Sequence, residues 1–532
     1  MECDYLIIGA GPAGCVLANR MTEDPDVKVI LAEAGPRDWH PYIHIPATCF
    51  FLQQDTRFNW RYQSQPVPEL NGRTITYSQG KVLGGSGSIN GMLHVRGQRA
   101  EYDLWAEQGC KGWSYDEVLP YFKKAEGFAG GDPEWRGADG PLGVSRQQDV
   151  HLLSLAFLDA AEEMGFTRRD DMNGHEREGV SLFQQNRRGR FRANPAQTYL
   201  RAAKRRNNLV VLTGMPCSKI AISEGRAIGA SFRRNGEDVS ITAQQEVLLC
   251  AGAVKSPHIL MHSGIGDRAE LSAQGIAVQH DAPMVGKNLR DHFLVRIKHR
   301  VRGQITINER TRGPRAMWEA LRFVAMGRGL LTSGAGAAAL FFKTKPGLAH
   351  PDAQLSFTPG SFASPGVLDS QPGMSIGAWP SYPASVGRIA LASADPAQQP
   401  EIHPEYLSAD ADKENIVTSL RMARKILAAP QLAQWSDAEI LPGPGVSSDD
   451  EIINFAKQNG ISGLHLVGTC AMGGEAGSVT DPELKVRGVR GLRVIDASVM
   501  PQCPSGNALA PIVMIAERAA DLIRASRDTS DL

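Results

Sequence analysis

The 532-residue sequence carries no surplus of either charge. Its 57 Lys+Arg balance 57 Asp+Glu, so no overall field draws it to nucleic acid or to an anionic membrane. No apolar run approaches the ~18 residues needed to cross a bilayer, and peripheral membrane contact stays open. The eight cysteines include no C-x-x-C pair and read as reduced, mostly buried thiols, not as a disulfide frame or a zinc site. Its thirteen histidines form no grouping with each other or with carboxylates that reads as a metal site. Repeats and low-complexity tracts are absent. Lys204-Arg205-Arg206 reads as a solvated helix end. The first strand begins by Asp4, leaving no room for a signal peptide, so the cytoplasm is the expected location.

What is present starts almost at once. Tyr5 to Ile8 is a short apolar run of strand type, and Gly9-x-Gly11-x-x-Gly14 turns it into a helix whose apolar residues include Val16, Leu17 and Ala18. Val27 to Leu31 gives a second buried strand, closed by Glu33 and Ala34 roughly 20 residues past the last glycine. Gly9 allows the tight turn, Gly11 lets backbone approach a pyrophosphate, and Gly14 lets helix pack on strand. Pro12 and Ala13 open the helix, whose free N–H groups and dipole face the phosphates. Glu33 can accept from both ribose hydroxyls, which argues against a 2′-phosphate. Strand, glycine turn, helix, strand and acid in this order predict a dinucleotide site.

The length exceeds what one hydrophobic core usually serves, so two domains are expected. Helices are predicted near 101–108, 115–126, 151–164 and 196–205, and strands at 209–212, 246–250 and 492–496. The section from about Val301 to Gly443, rich in Pro and Gly with alternating pieces such as Gln354-Leu355-Ser356-Phe357, reads as a mixed β domain. Residues 512–525 read as a closing helix. A domain that begins and ends the chain, with another inserted in it, fits this order.

Two further clusters stand out. Gly80-Lys81-Val82-Leu83-Gly84-Gly85-Ser86-Gly87-Ser88-Ile89-Asn90-Gly91 is a buried glycine loop able to pass close to a flat or charged ligand. Gly252 through Gly266 is a strand-to-helix turn closed by glycines. With these, the sequence resembles the glucose–methanol–choline (GMC) oxidoreductase family over essentially its whole length. Further pieces of the resemblance are Val285 to His292, Leu464 to Thr469 and Leu492 to Asn507, in wording nearest the choline and aliphatic-alcohol dehydrogenase branch. His94 departs from the first signature. Leu466, Ala471 and Leu509 stand where relatives usually have Pro, Arg and a second Asn.

The resemblance implies an α/β fold: a discontinuous Rossmann-like FAD-binding domain, residues 1–145, 190–297 and 455–532. The inserted mixed-sheet α+β substrate domain is residues 146–189 and 298–454. It implies FAD, bound without a covalent link, because Ile89 stands where covalently flavinylated relatives have histidine. It implies a small alcohol, with a primary alcohol preferred, oxidised by hydride transfer to flavin N5. His465 is the implied base and Asn507 its partner at the substrate oxygen, with an N-cap as the alternative reading of Asn507. The cofactor contacts so implied are Gly9, Gly11, Pro12, Ala13, Gly14, Glu33, Ala34, Lys81, Gly84, Gly85, Ser86, Ser88, Asn90, Gly91, Asp496, Ala497, Asn507 and Ala508. Asp496 also reads as a turn or cap aspartate. His94 is considered for the substrate site, His292 reads as a buried structural histidine, and Cys470 and Cys503 read as core fillers. An oxidase passing electrons to O2 and a hydroxynitrile lyase on the same scaffold remain alternatives. The acceptor (quinone, carrier or O2) and the oligomeric state stay open.

Overall fold

The computed structural model describes residues 1–364, 366–475 and 477–528. Its first strand, Glu2–Ile8, is buried from Tyr5 onward and runs parallel to the fully buried Val29–Glu33, with Tyr5 opposite Val29. On the other side lies the end of Glu237–Leu249, again parallel, with Ile8 opposite Leu249. Leu209–Thr213 extends the sheet beyond Val29–Glu33, and Leu492–Val494 pairs with Glu237–Leu249. The order of neighbours therefore reverses at Glu2–Ile8. In an open parallel sheet, ligands bind beyond the carboxyl ends of the strands at such a point.

The amino-terminal half of Glu237–Leu249 leaves this parallel core in an antiparallel meander with Arg226–Arg234 and Cys217–Ser223. The sequence reads only 246–250 as strand. The earlier part alternates polar, exposed residues with few buried ones, and is held by hairpin pairing that its composition does not announce.

A second sheet is antiparallel throughout, in the order Ser436–Leu441, Phe293–Val301, Gly373–Pro380, Ala353–Thr358, Ala338–Phe342, Gly179–Leu182. Ile461–Ser462 pairs beside the start of Phe293–Val301. On one face Val295, Ala378 and Leu355 lie abreast, as do Ile297, Ile376 and Phe357. They pack against Asp410–Ala428 and Leu152–Glu163, and Phe157 of the latter stacks on Phe357 at 4.9 Å. On the opposite face Arg296, Gly377 and Ser356 lie abreast and look into a cavity shared with the first sheet.

The sequence reads 301–443 as mixed β, and the structure adds a 19-residue helix there, Asp410–Ala428. Its buried Ile416, Leu420, Ala423 and Leu427 do recur at helical spacing, inside a stretch whose overall Pro and Gly content hides them. The closing helix, Leu509–Asp528, packs on Pro12–Met21 and so joins the two ends of the chain. Among the described residues no helix is long and apolar enough to cross a membrane.

Candidate active site

The cavity, of about 720 Å³, opens at the carboxyl end of Glu2–Ile8 and extends to the polar face of the second sheet. Gly9 holds φ at +100°, and a Cβ there would lie 2.6 Å from the Cys250 carbonyl oxygen. A Cβ on Gly14 would lie 2.0 Å from the Gly9 carbonyl oxygen, so the helix sits directly on the strand it follows. Gly11 caps that helix and Pro12 fills its first position, where a missing N–H costs no bond. Glu33 is buried, its two oxygens accepting from the Ala10 and Gly35 N–H groups at 2.8 Å each. Burial, partly offset by those bonds, pushes its carboxyl up to about 7.

Gly9, Gly11, Pro12, Ala13 and Glu33 line this end, Gly85, Ser86, Asn90 and Gly91 its flank, and Asp496, Ala497, Asn507 and Ala508 a further wall. Five expected contacts do not line it: Gly14, Ala34, Lys81, Gly84 and Ser88. Gly14 serves close packing of backbone, and a Cβ on Gly84 would lie 2.3 Å from Ser88 Oγ. The Lys81 ammonium lies over the Trp60 ring at 4.8 Å. Ser88 turns inward, donating to the Leu83 carbonyl at 2.7 Å and accepting from Asn194 at 3.0 Å. Asp496 lines the cavity with its carboxylate already occupied. It accepts from the Gly252 and Ser498 N–H groups at 2.8 Å each and from the Ser256 and Ser498 hydroxyls. It is a cap and a cross-brace, and the alternative reading of this aspartate describes its side chain.

His94 does not reach the cavity. Its ring is buried, with Nε2 2.7 Å from Glu126, inside an ion cluster with Arg96, Arg136 and Asp171. Ile89 packs with Ile43, Leu52, Phe58 and Val82, so an apolar cluster takes the place of any nucleophile at that position. Cys470 and Cys503 are buried, and burial drives both thiols well above their ordinary range.

His465 follows the short strand Ile461–Ser462 and meets the cavity edge. Asp291 sets its position: one carboxylate oxygen accepts from the His465 N–H at 2.7 Å, and the other from the Ser462 and Tyr406 hydroxyls. Burial raises the Asp291 carboxyl to about 6, those donors working against the rise. His292 Nδ1 lies 2.9 Å from His465 Nδ1, and His292 Nε2 lies 3.0 Å from the Ser381 carbonyl. Asn507 Nδ2 lies 3.0 Å from His465 Nε2.

These contacts fix the protons. A carbonyl only accepts, so His292 Nε2 carries hydrogen and its neutral ring offers the Nδ1 lone pair. His465 Nδ1 must then donate to that lone pair, which leaves His465 Nε2 unprotonated on the side of Asn507. Burial first, and the neighbouring His292 second, hold the His465 pKa well below its usual value, so the ring is a free base at neutral pH.

Asn507 lies outside the closing helix, which starts at Leu509, and its amide faces His465. Its side-chain oxygen accepts no N–H from the first turn, so it makes no N-cap hydrogen bond. Its Oδ1 is buried with no partner among the described residues, an acceptor awaiting a donor. His292 is buried as expected, but it is also the direct partner of His465, which the sequence reading missed. Its one available signal was its place beside Asp291 in a segment shared with the family. The glycine cradle at a helix N-terminus, the Glu33 acceptor and the orphaned Asn507 oxygen together suit a long nucleotide cofactor with its reactive end near His465.

The GMC oxidoreductase family matches residues 3–294 and 383–516 of the chain. The chain belongs to the GMC oxidoreductases. It is 39% identical over 526 residues to an oxygen-dependent choline dehydrogenase of Photobacterium profundum, covering 98% of this chain and 92% of that one. It is 38% identical to an alcohol dehydrogenase [acceptor] of Pseudomonas putida, covering 99% and 97%. Among solved structures it resembles pyridoxine 4-oxidase from Mesorbium loti, with a TM-score of 0.89 at 28% identity and 98% of each chain covered. The fold is the GMC fold, and the protein is an FAD-dependent oxidoreductase acting on CH–OH donors.

Proposed function

We propose that this GMC oxidoreductase converts a primary alcohol to the aldehyde, with His465 as the base, and that it holds FAD without a covalent bond. The observation that carries this reading is the run of contacts from the Ser381 carbonyl through His292 and His465 to the Asn507 amide, which is consistent with His465 Nε2 being the accepting nitrogen, at the cavity edge. An alcohol hydroxyl that displaces the Asn507 amide from His465 Nε2 would donate to that nitrogen and accept from the freed amide. His465 would take the hydroxyl proton as the α-carbon loses its hydrogen, and the imidazolium formed would stabilise the developing alkoxide. FAD, when bound, supplies the acceptor for the hydrogen that leaves carbon as hydride. Gly9, Gly11, Glu33 and the start of Pro12–Met21 would hold its nucleotide end, with Ser86, Asn90, Gly91 and Ala508 toward its ring.

Anaerobic mixing of the purified protein with a panel of alcohols tests the proposal through flavin absorbance. Bleaching supports it, and peroxide on admitting air would make the enzyme an oxidase. No bleaching, with cyanohydrin cleavage instead, would overturn it in favour of a lyase.

We infer in addition that the enzyme meets an anionic lipid surface. Helix Gly313–Leu321 and the turn after it expose Met317 at 75%, Trp318 at 57%, Leu321 at 54%, Val324 at 69% and Met326 at 60%. The one acid between residues 311 and 330 is Glu319, buried against Arg310 and Arg322, whereas Arg312, Arg315 and Arg328 are exposed. Apolar side chains rimmed by arginine suit headgroups of negative charge. Co-sedimentation with phosphatidylserine-containing vesicles, lost in a Trp318→Ser, Leu321→Ser double variant, would support this, and binding indifferent to both changes would refute it.

A further inference from the structure

Arg296 sits mid-strand in Phe293–Val301, four residues past His292 and therefore about 13 Å along the chain from it. Alternation puts it on the cavity side with Leu294, and its opposite neighbour across the sheet is Gly377, which has no side chain to crowd it. The guanidinium lies over the Phe362 ring at 5.2 Å. Among the described residues it joins no ion pair and donates no hydrogen bond, unlike the interior Arg96, Arg136 and Arg493, each of which holds a carboxylate. Burial alone lowers its pKa to about 10, with no opposing charge nearby, so it stays a cation at working pH.

Charge elsewhere on the cavity wall points the same way. Among the described residues its acids are Glu33 and Asp496. Glu33 stands at the nucleotide end, and the Asp496 carboxylate is taken up by four protein donors. Arg61, Arg73 and Lys255 line the wall as well. A quaternary ammonium would find no counter-charge beside the second sheet. A carboxylate would find a planar fork of N–H donors on an aromatic support, already free of protein partners. Arg296 is half-buried at the cavity wall with no counter-charge from the protein, and an incoming anion would supply one.

We propose that Arg296 binds a carboxylate at the end of the substrate remote from its hydroxyl, making the substrate class a hydroxy acid. The proposal rests on the alcohol-oxidation reading for the reacting end, but the anion site is testable apart from it. With the holoenzyme, kcat/KM for flavin reduction is compared between ω-hydroxyalkanoates, from 4-hydroxybutanoate to 10-hydroxydecanoate, and the matching uncharged alcohols, with choline as the cationic probe. At least one hydroxyalkanoate should exceed its uncharged counterpart. Arg296→Met should lower that ratio on the order of 10- to 100-fold, the loss of a charge-assisted pair, and Arg296→Lys should retain part of it. Separately, binding of unreactive hexanoate, octanoate and decanoate is followed by perturbation of the flavin spectrum. At least one should bind the wild type, and that binding should disappear in Arg296→Met.

If no alcohol bleaches the flavin while alkanoate binding still depends on Arg296, alcohol oxidation fails and the anion site stands. If carboxylates hold no advantage over uncharged alcohols, or if alkanoates bind both forms equally, the anion site is wrong whatever the enzyme oxidises.

Discussion

Replacing His292 tests the proton order on which the proposed mechanism depends. His292→Leu removes the acceptor for His465 Nδ1–H and leaves the Ser381 carbonyl without its donor. The hydrogen bond from His465 grows in value as that ring becomes imidazolium, since bonds to charged groups contribute about 1.5–3 kcal/mol. Losing it should slow flavin reduction by roughly 10- to 150-fold, with KM changed far less. His292→Asn puts an amide oxygen near the old Nδ1 position and should restore most of that rate. Stopped-flow reduction under anaerobic conditions reads the rate, while melting temperature and flavin content establish that the variants are folded and loaded. A folded, loaded His292→Leu protein that reduces flavin within about threefold of wild type would show that His292 does not set the His465 tautomer.

His465→Ala should lower the rate of flavin reduction by about 10² to 10⁴ while leaving flavin bound, and near-normal reduction would remove His465 from its role. Gly463→Ala would place a methyl 2.9 Å from His292 Cβ and 3.3 Å from His465 Nδ1, so it should impair reduction without touching the nucleotide end. Flavin retention with lost activity is the expected outcome, measured by absorbance ratio and turnover. Acid should destabilise the fold through His292, which burial holds at about 4 against an ordinary 6.5. The unfolded chain binds the extra proton below 6.5, so this contribution is complete above that pH. It is lost as pH falls toward 4, by ~3 kcal/mol in all. Urea midpoints across that range should fall more steeply in wild type than in His292→Asn, and parallel slopes would contradict the assignment.

Much of the first sheet is legible because its signals are local. Gly9, Gly11 and Gly14 stand between two apolar runs, and each glycine answers a contact made within a few residues or across one strand. The proposed reacting site is legible only in part. His465 and Asn507 lie in stretches with family wording. The His292 ring reaches His465 because Phe293–Val301 pairs with Ile461–Ser462, a contact between segments some 170 residues apart. Arg296 is harder still, since nothing local says which face of a strand will meet a cavity. That depends on the helix Asp410–Ala428 covering the other face, and the helix is itself hidden in a Pro- and Gly-rich stretch. His94 errs in the opposite sense, lying close in sequence to the glycine loop of residues 80–91 and turning into an ion cluster.

The imidazole pair ends inward at the Ser381 carbonyl, and a peptide oxygen does not take up a proton at any pH where the enzyme works. The route is therefore a blind alley. On the proposed mechanism a proton captured by His465 would have no inward exit and would leave by the side it entered, once the aldehyde made way for water. Turnover and proton release would then be locked to one doorway, so a tightly held product would trap the acid form of the base along with itself.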